Sequence, residues 1–277
     1  MSISIFAKRH SRARRDGHLQ RVSSIIRGQQ VAEYLHAKIN PEDGFENDVC
    51  IYVKPHVKPH EDFEFHGHPY LDIIDGWGLF SLIQKHPEVT VITCSAIDFE
   101  YVSENTKNKV ILIPQHHCNF ELLKRTRNEV TKVGCIGTAA AFQFLPPNLK
   151  EHLSKKGIEL VEYSSFHSRQ DIINFYLSVD VQIVWRPYFQ KMRVRMSNPL
   201  KLVNAAAFGV PTIALDEPAF AEMNGTYIPV KTLDEFLFHL SILKESPTLY
   251  GHYSQKCLKK AELYHISQIG RLYLDLV

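Results

Sequence analysis

The sequence has no long apolar run. Its longest weakly polar stretch, residues 202–215, is interrupted by Asn204, Gly209 and Pro211. A bilayer-spanning helix needs about 20 consecutive apolar residues, so this stretch reads as part of a soluble fold. Nor does the N-terminus read as a secretory leader, since MSISIFA is followed at once by charge. Cysteine is sparse: Cys50, Cys94, Cys118, Cys135 and Cys257 form an odd, scattered set without a C-x-x-C. That pattern excludes a disulfide framework and reads as reduced thiols in a cytoplasmic protein. Nor does charge of one sign dominate. Lys and Arg number 32 against 30 Asp and Glu, a net +2, unlike the strongly basic balance of a nucleic-acid-coating protein. Repeats and low-complexity tracts are absent, and 44% hydrophobic with 22% charged residues excludes a disordered or collagen-like chain.

What is present is charge sorted along the chain. Residues 8–27 hold seven basic residues and one acid, Asp16. From Glu42 to Asp75 the balance reverses, with nine acids against Lys54 and Lys58. Residues 186–201 add five basic residues and no acid. Two basic segments so far apart suit a cleft that receives an anion.

Short β-rich runs alternate with helical periodicity, which predicts parallel sheets built from β-α-β units. Strands are expected at 2–7, 49–53 (VCIYV), 71–74, 90–94 and 110–114, with helices at 24–37 and 79–85. A polar helix or linker follows near 119–128. The series then restarts with strands at 131–137 (TKVGCIG), 159–163, 180–185 and 211–215, and helices at 149–156, 171–177, 199–208, 234–243 and within 256–276. The restart predicts two domains, 1–128 and 129–277, with a last helix that could cross back, and a single mixed α/β domain is the alternative.

The most informative stretch is MRVRMSNPLKLVNAAAFGVPTIAL, residues 192–215. Ser197 or Asn198 is expected to cap a helix that Pro199 begins, and Gly209 and Pro211 end it. Its first turn carries Lys201, with Arg193 and Arg195 just upstream. Cations at the positive end of a helix cost ~0.3–1 kcal/mol unless something negative is bound there. Two readings stand: a phosphate or diphosphate docked on the helix start, or solvated surface charges.

PLKLVNAAAFGVPTIAL followed by DEPAFAEMNGTYIPV resembles the donor-binding stretch of GT-B-fold glycosyltransferases of the group 1 (family 4) type. VGCIGT (133–138) and YLSVDVQIVW (176–185) are similar to two strands of their C-terminal domain. SIIRGQQVAEYL and VITCSAIDFEYVSENTKNKVILIPQ are similar, more faintly, to their N-terminal domain. The resemblance implies an α/β fold of two Rossmann-like domains facing a cleft, the N-terminal one compact and on the acceptor side. It implies a metal-independent hexosyltransferase with no cofactor, whose substrate is a UDP- or GDP-linked sugar and whose acceptor is a glycan or lipid-linked. Lys201 and Arg193 would stabilise the departing diphosphate. Gly137, Thr138, Arg186, Arg195, Asn198, Asn204 and Glu222 would line the donor site, although a turn carboxylate is an equal reading of Glu222.

Departures from the family pattern bear on mechanism. The two glutamates that many members place seven residues apart correspond here to Met196 and Asn204. Asn204 keeps hydrogen-bonding capacity toward a ribose but no charge, and Met196 offers neither. Where the family often has a histidine after the third N-terminal strand, this sequence reads IIDGWG. Asp75 there is either a general base for an acceptor hydroxyl or the first member of an Asp-Gly turn. A non-catalytic nucleotide- or glycan-binding protein and a sugar-nucleotide epimerase are the alternative functions.

Fifteen histidines raise the question of a metal. His56, His60, His66 and His68 sit in a proline-punctuated loop without zinc-ligand spacing, so no metal site is assigned. His116 and His117 follow the last N-domain strand, where ligands gather in α/β sheets. They are either cleft residues or part of a surface loop. The basic run 8–15 (KRHSRARR), with Arg15 as its cleft candidate, follows the first strand. It could meet the donor diphosphate, an anionic acceptor or, peripherally, an anionic membrane, and it carries no signature of nucleic-acid binding.

Overall fold

The computed structural model describes residues 2–7, 22–57, 63–127, 129–186 and 197–277. The contact pattern divides the chain into two units. One comprises Met1–His116, Arg195–Asn198 and Ile266–Val277, the other His117–Val194 and Pro199–His265.

The first unit is a six-stranded parallel sheet. Its elements in chain order are β1 (Ile3–Phe6), α1 (Val22–Ser24), a π-helical turn (Ile25–Gln30), α2 (Val31–Leu35), β2 (Lys38–Ile39), β3 (Val49–Val53), β4 (His68–Asp72), α3 (Phe80–Lys85), β5 (Thr90–Thr93), α4 (Ala96–Asn105) and β6 (Val110–Leu112). The strand order is β2-β1-β3-β4-β5-β6. Every residue of β3 is buried, as expected of a parallel strand covered on both faces. Cys50, Tyr52, Leu71, Ile73 and Val91 form the core with Leu82 and Ile83 of α3. The π-helical turn carries Arg27 into that interior, where its Nε donates to Asp72 at 2.7 Å and Nη1 donates to the carbonyls of Ile113 and Pro114.

The second unit is a five-stranded parallel sheet in the order β11-β10-β9-β7-β8. It runs β7 (Lys132–Ile136), α5 (Ala139–Phe142), α6 (Leu149–Lys155), β8 (Glu159–Tyr163), α7 (Arg169–Ser178), β9 (Val181–Val184), α8 (Leu200–Ala207), β10 (Thr212–Leu215), β11 (Tyr227–Val230), α9 (Leu233–Glu245) and α10 (Pro247–Ala261). The last helix, α11 (Ile266–Leu274), belongs to the first unit. Caps mark the helix starts: Ser168 and Asp171 form a reciprocal capping box on α7, and Thr232 and Ser246 cap α9 and α10.

The end of α8 follows the expectation closely. Val210 N–H donates to the Ala205 carbonyl and Gly209 N–H to that of Ala206, the paired bonds of a Schellman terminator. Gly209 has φ +69°, a left-handed conformation that glycine adopts without steric cost. The start of α8 differs by one residue. Pro199 is itself the capping residue, and its carbonyl receives the Val203 N–H at 3.0 Å. The capping position thus falls one residue beyond the expected Ser197 or Asn198.

All five cysteines are unpaired and buried. Among the described residues no helix is long and apolar enough to cross a membrane.

Candidate functional site

In the second sheet β8 lies on one side of β7 and β9 on the other. The β7/β9 junction is therefore the point where the winding reverses, and ligands of open α/β sheets gather outside the strand carboxyl ends at that point. Gly137 follows β7, Arg186 follows β9 and Glu217 follows β10. Lys201 enters from the first turn of α8.

Lys201 is anchored through its backbone. Its backbone carbonyl accepts from Gln182 Nε2 at 3.1 Å and from the Tyr176 hydroxyl at 3.4 Å. Its ammonium lies against Gly137, where a methyl group on the glycine would stand 3.1 Å from Nζ. Loss of water around the charge lowers its pKa below the ordinary lysine value; Cys135 and Glu217 oppose this and Arg186 adds to it. A cation that has already lost much of its hydration, at the start of a helix, is suited to an anionic group.

Arg186 is paired with Glu217, its Nε donating to Oε2 at 3.2 Å and its Nη2 to Oε1. The guanidinium also lies 5.0 Å from the centre of the Phe220 ring. Glu217 is buried, a site residue that the sequence pattern, which points to Glu222, does not single out. Its only sequence signal was its place two residues beyond β10. Glu222 sits further on and accepts from the Tyr264 hydroxyl at 3.0 Å, which ties two segments of the same unit together. Thr138 is exposed at the start of α5, and Asn198 is half-buried just before α8.

Asn204 is buried, and its carboxamide oxygen accepts the Cys118 N–H at 2.8 Å. That bond fastens the segment entering the unit to the middle of α8. His116 and His117 correct the surface-loop reading, since each is only 1% exposed. His116 Nε2 lies 2.9 Å from the Ile26 carbonyl, and His117 Nδ1 accepts the Asn119 N–H at 3.2 Å. Arg15, Arg193, Arg195 and Met196 lie outside the described residues, as do the basic run 8–15 and His60. Among the described residues, no group of three or more His, Cys, Asp or Glu side chains is placed to hold a metal ion.

On the first unit, Asp75 is exposed and paired with Lys54. It lies in a turn closed by the Gly76 N–H donating to the Ile73 carbonyl at 2.7 Å, as an Asp-Gly pair predicts. The residue before it, Ile74, is buried and has φ +54°. A β-branched side chain in the left-handed region is strained, and such strain clusters at functional sites. Lys54 shares the feature with φ +41°. Asp75 and Lys201 belong to different units.

No family model matches the chain, and no curated protein matches its sequence. Solved structures do. Anabaena HepE, in a structure with UDP and glucose, superposes with a TM-score of 0.60 at 9% identity, over 100% of this chain and 99% of that one. TarM superposes with a TM-score of 0.55 at 10% identity, over 83% of this chain and 54% of TarM. The Gap123 complex of Streptococcus agalactiae gives 0.57 at 12% identity, over 90% of this chain and 57% of the other. The chain thus spans little more than half the length of the latter two. At these identities the likeness establishes the fold alone: two parallel α/β sheets of the GT-B type.

Proposed function

We propose that the chain is a glycosyltransferase that moves a hexosyl group from a UDP- or GDP-linked sugar to a glycan or lipid-linked acceptor without a metal. The observation that carries this reading is Lys201, a partly dehydrated ammonium at the β7/β9 junction beside Gly137. When the bond between the sugar and the diphosphate breaks, negative charge grows on the departing phosphate. A fixed cation in a water-poor site stabilises that charge more than water does. Lys201 takes this part, with the start of α8 beside it. Arg186 is held by Glu217, so it orients and balances the site, and Asp75 is the base assigned to the acceptor hydroxyl.

Two features of known structures support the reading. HepE, nearly equal in length to this chain, holds UDP and glucose. A structure of S. aureus TarM contains UDP together with α-GlcNAc-glycerol. A second reading, nucleotide binding without turnover, is favoured by Asn204. Where many members of the resembled family carry a glutamate, this chain has a carboxamide already engaged by Cys118.

Calorimetric titration with UDP, GDP and their sugars tests the proposal, followed by donor turnover with and without acceptor glycans. Binding of one nucleotide and acceptor-dependent release of nucleoside diphosphate are the expected results. Binding without turnover would leave the non-catalytic reading, and turnover of the donor alone to another sugar nucleotide would indicate an epimerase. If neither nucleotide bound at millimolar concentration, the transferase would be abandoned.

A further inference from the structure

β9 carries one polar residue among apolar ones. Val181, Ile183 and Val184 are buried, and so is Gln182, which is 1% exposed. Val181 and Ile183 join the core of the second unit, so by strand alternation Gln182 faces the other side of the sheet. A buried glutamine gives up the rotamer freedom of a long side chain and needs partners at both ends of its amide. Only one end has them. Nε2 donates to the Lys201 carbonyl at 3.1 Å and lies 3.4 Å from Thr212 Oγ1. Oε1 is buried with no hydrogen-bond partner among the described residues. A methionine of similar length would fill the place without an unpaired oxygen. Local rules are broken in this way where function asks for it.

The sheet brings a second donor to the same carbonyl. Gln182 is flanked in register by Gly134 of β7 and Thr212 of β10. A Cβ at Gly134 would stand 2.6 Å from Val179 and 2.7 Å from Phe175, so the glycine lets the end of α7 lie close on the sheet. Tyr176, the next residue of α7, is buried and reaches the Lys201 carbonyl with its hydroxyl at 3.4 Å. Its ring stacks on Phe208, with centres 5.5 Å apart and planes 11° apart, and burial keeps the hydroxyl protonated. A carbonyl only accepts, so both groups act there as donors. Two buried side chains from different elements thus meet on the main chain of the residue whose ammonium lies against Gly137.

We propose that Gln182 and Tyr176 are positioning residues for the donor diphosphate: by fixing the Lys201 carbonyl they set where its ammonium stands. They act through Lys201 and not on the ligand. The identity of that ligand rests on the transferase reading; the anchoring of Lys201 does not. A cation held in advance stabilises developing charge because nothing has to reorganise, and a site loosened by about 1 Å loses much of that advantage.

A double-mutant cycle on the full chain tests this, with Gln182→Met, Tyr176→Phe and Lys201→Met read by UDP calorimetry and thermal melts. Gln182→Met is expected to keep or raise the melting temperature while UDP affinity falls about three- to tenfold, the scale of one neutral hydrogen bond. Tyr176→Phe removes only a hydroxyl and should lower affinity in the same direction; it carries the cycle should Gln182→Met fail to fold. With Lys201→Met already present, neither substitution should change UDP affinity further, because the effect travels through Lys201. The ε-carbon NMR resonance of Lys201, identified by its absence from Lys201→Met, supplies a readout without nucleotide. Its titration should move toward the ordinary lysine value in both variants as the ammonium regains water. Unaltered UDP affinity in both variants, or equal losses with and without Lys201, would overturn the inference. If the unsubstituted protein binds neither UDP nor GDP, the transferase reading falls and the lysine titration alone decides the anchoring: no movement in either variant overturns it.

Discussion

Asp180 and Arg125 form an ion pair whose side chains are 0% and 3% exposed. Asp180 Oδ2 also accepts the N–H groups of Thr131 and Lys132 at 2.6 and 2.7 Å and the Thr131 hydroxyl at 2.9 Å. Arg125 in turn donates to the Tyr250 hydroxyl, and Tyr250 donates to the Asp180 carbonyl. One carboxylate thus fastens the segment that leads into β7 to the amino end of β9. The sequence resemblance placed Asp180 in a strand motif, and the structure supplies its work.

Removing that carboxylate would strand a buried guanidinium and several amides. Asp180→Ala is expected to destabilise the protein by about 3–5 kcal/mol, the cost of breaking a buried pair from one side. Chemical denaturation would read the loss. A change under 1 kcal/mol would show that water replaces the carboxylate at this place.

Lys201→Met removes a charge that is already poorly hydrated. Folding stability is expected to hold or rise, while nucleoside diphosphate affinity falls about 10- to 150-fold, the worth of a charged hydrogen bond. Gly137→Ala should act in the same direction more mildly, because its methyl would press on the flexible end of Lys201 at 3.1 Å. Thermal melts and UDP titration on both variants check the split. Equal UDP affinity in wild type and Lys201→Met would remove Lys201 from the site.

The lowered pKa of Lys201 gives a pH dependence with a definite sign. The unfolded chain holds this proton to higher pH than the folded one, so between the two pKa values stability rises with pH. A diphosphate prefers the protonated form. UDP affinity should therefore decline as pH rises through the depressed pKa, below the range of an ordinary lysine. Lys201→Arg stays charged throughout and should lack that decline. Parallel titrations of the two proteins isolate the effect, since the nucleotide's own ionisation is common to both.

Asp75→Asn keeps the turn and its Gly76 N–H bond but cannot take a proton. If Asp75 acts as the base, kcat should fall about 10²–10⁴-fold with UDP affinity unaltered. Retention of full turnover would leave Asp75 as the partner of Lys54 and nothing more.

The parts legible in the sequence were those set by local pattern. VCIYV and ELVEY were read at their full extent as strands, and Gly209 and Pro211 fixed the end of α8 because only certain residues tolerate those backbone angles. The third strand was displaced, expected at 71–74 and found at His68–Asp72. Its ladder with β3 begins at the His68–Val49 pair, while Ile74 turns away in a left-handed conformation that no apolar pattern announces. The helix Ala96–Asn105 was not expected at all. Only Asp98 and Val102 of it are buried, too narrow a face to produce a strong helical period.

By itself the sequence determined two successive α/β series, the helix that carries Lys201 and the absence of a disulfide framework, since composition, period and turn residues act within a few positions. Tertiary structure alone decided which charges are available. Arg186 is held by Glu217, 31 residues away, Asn204 is engaged by Cys118, and His116 and His117 are buried. Lys201 lies against Gly137, partly desolvated. Pairing and desolvation depend on which groups fold into the same low-dielectric space, and separation along the chain carries no record of that.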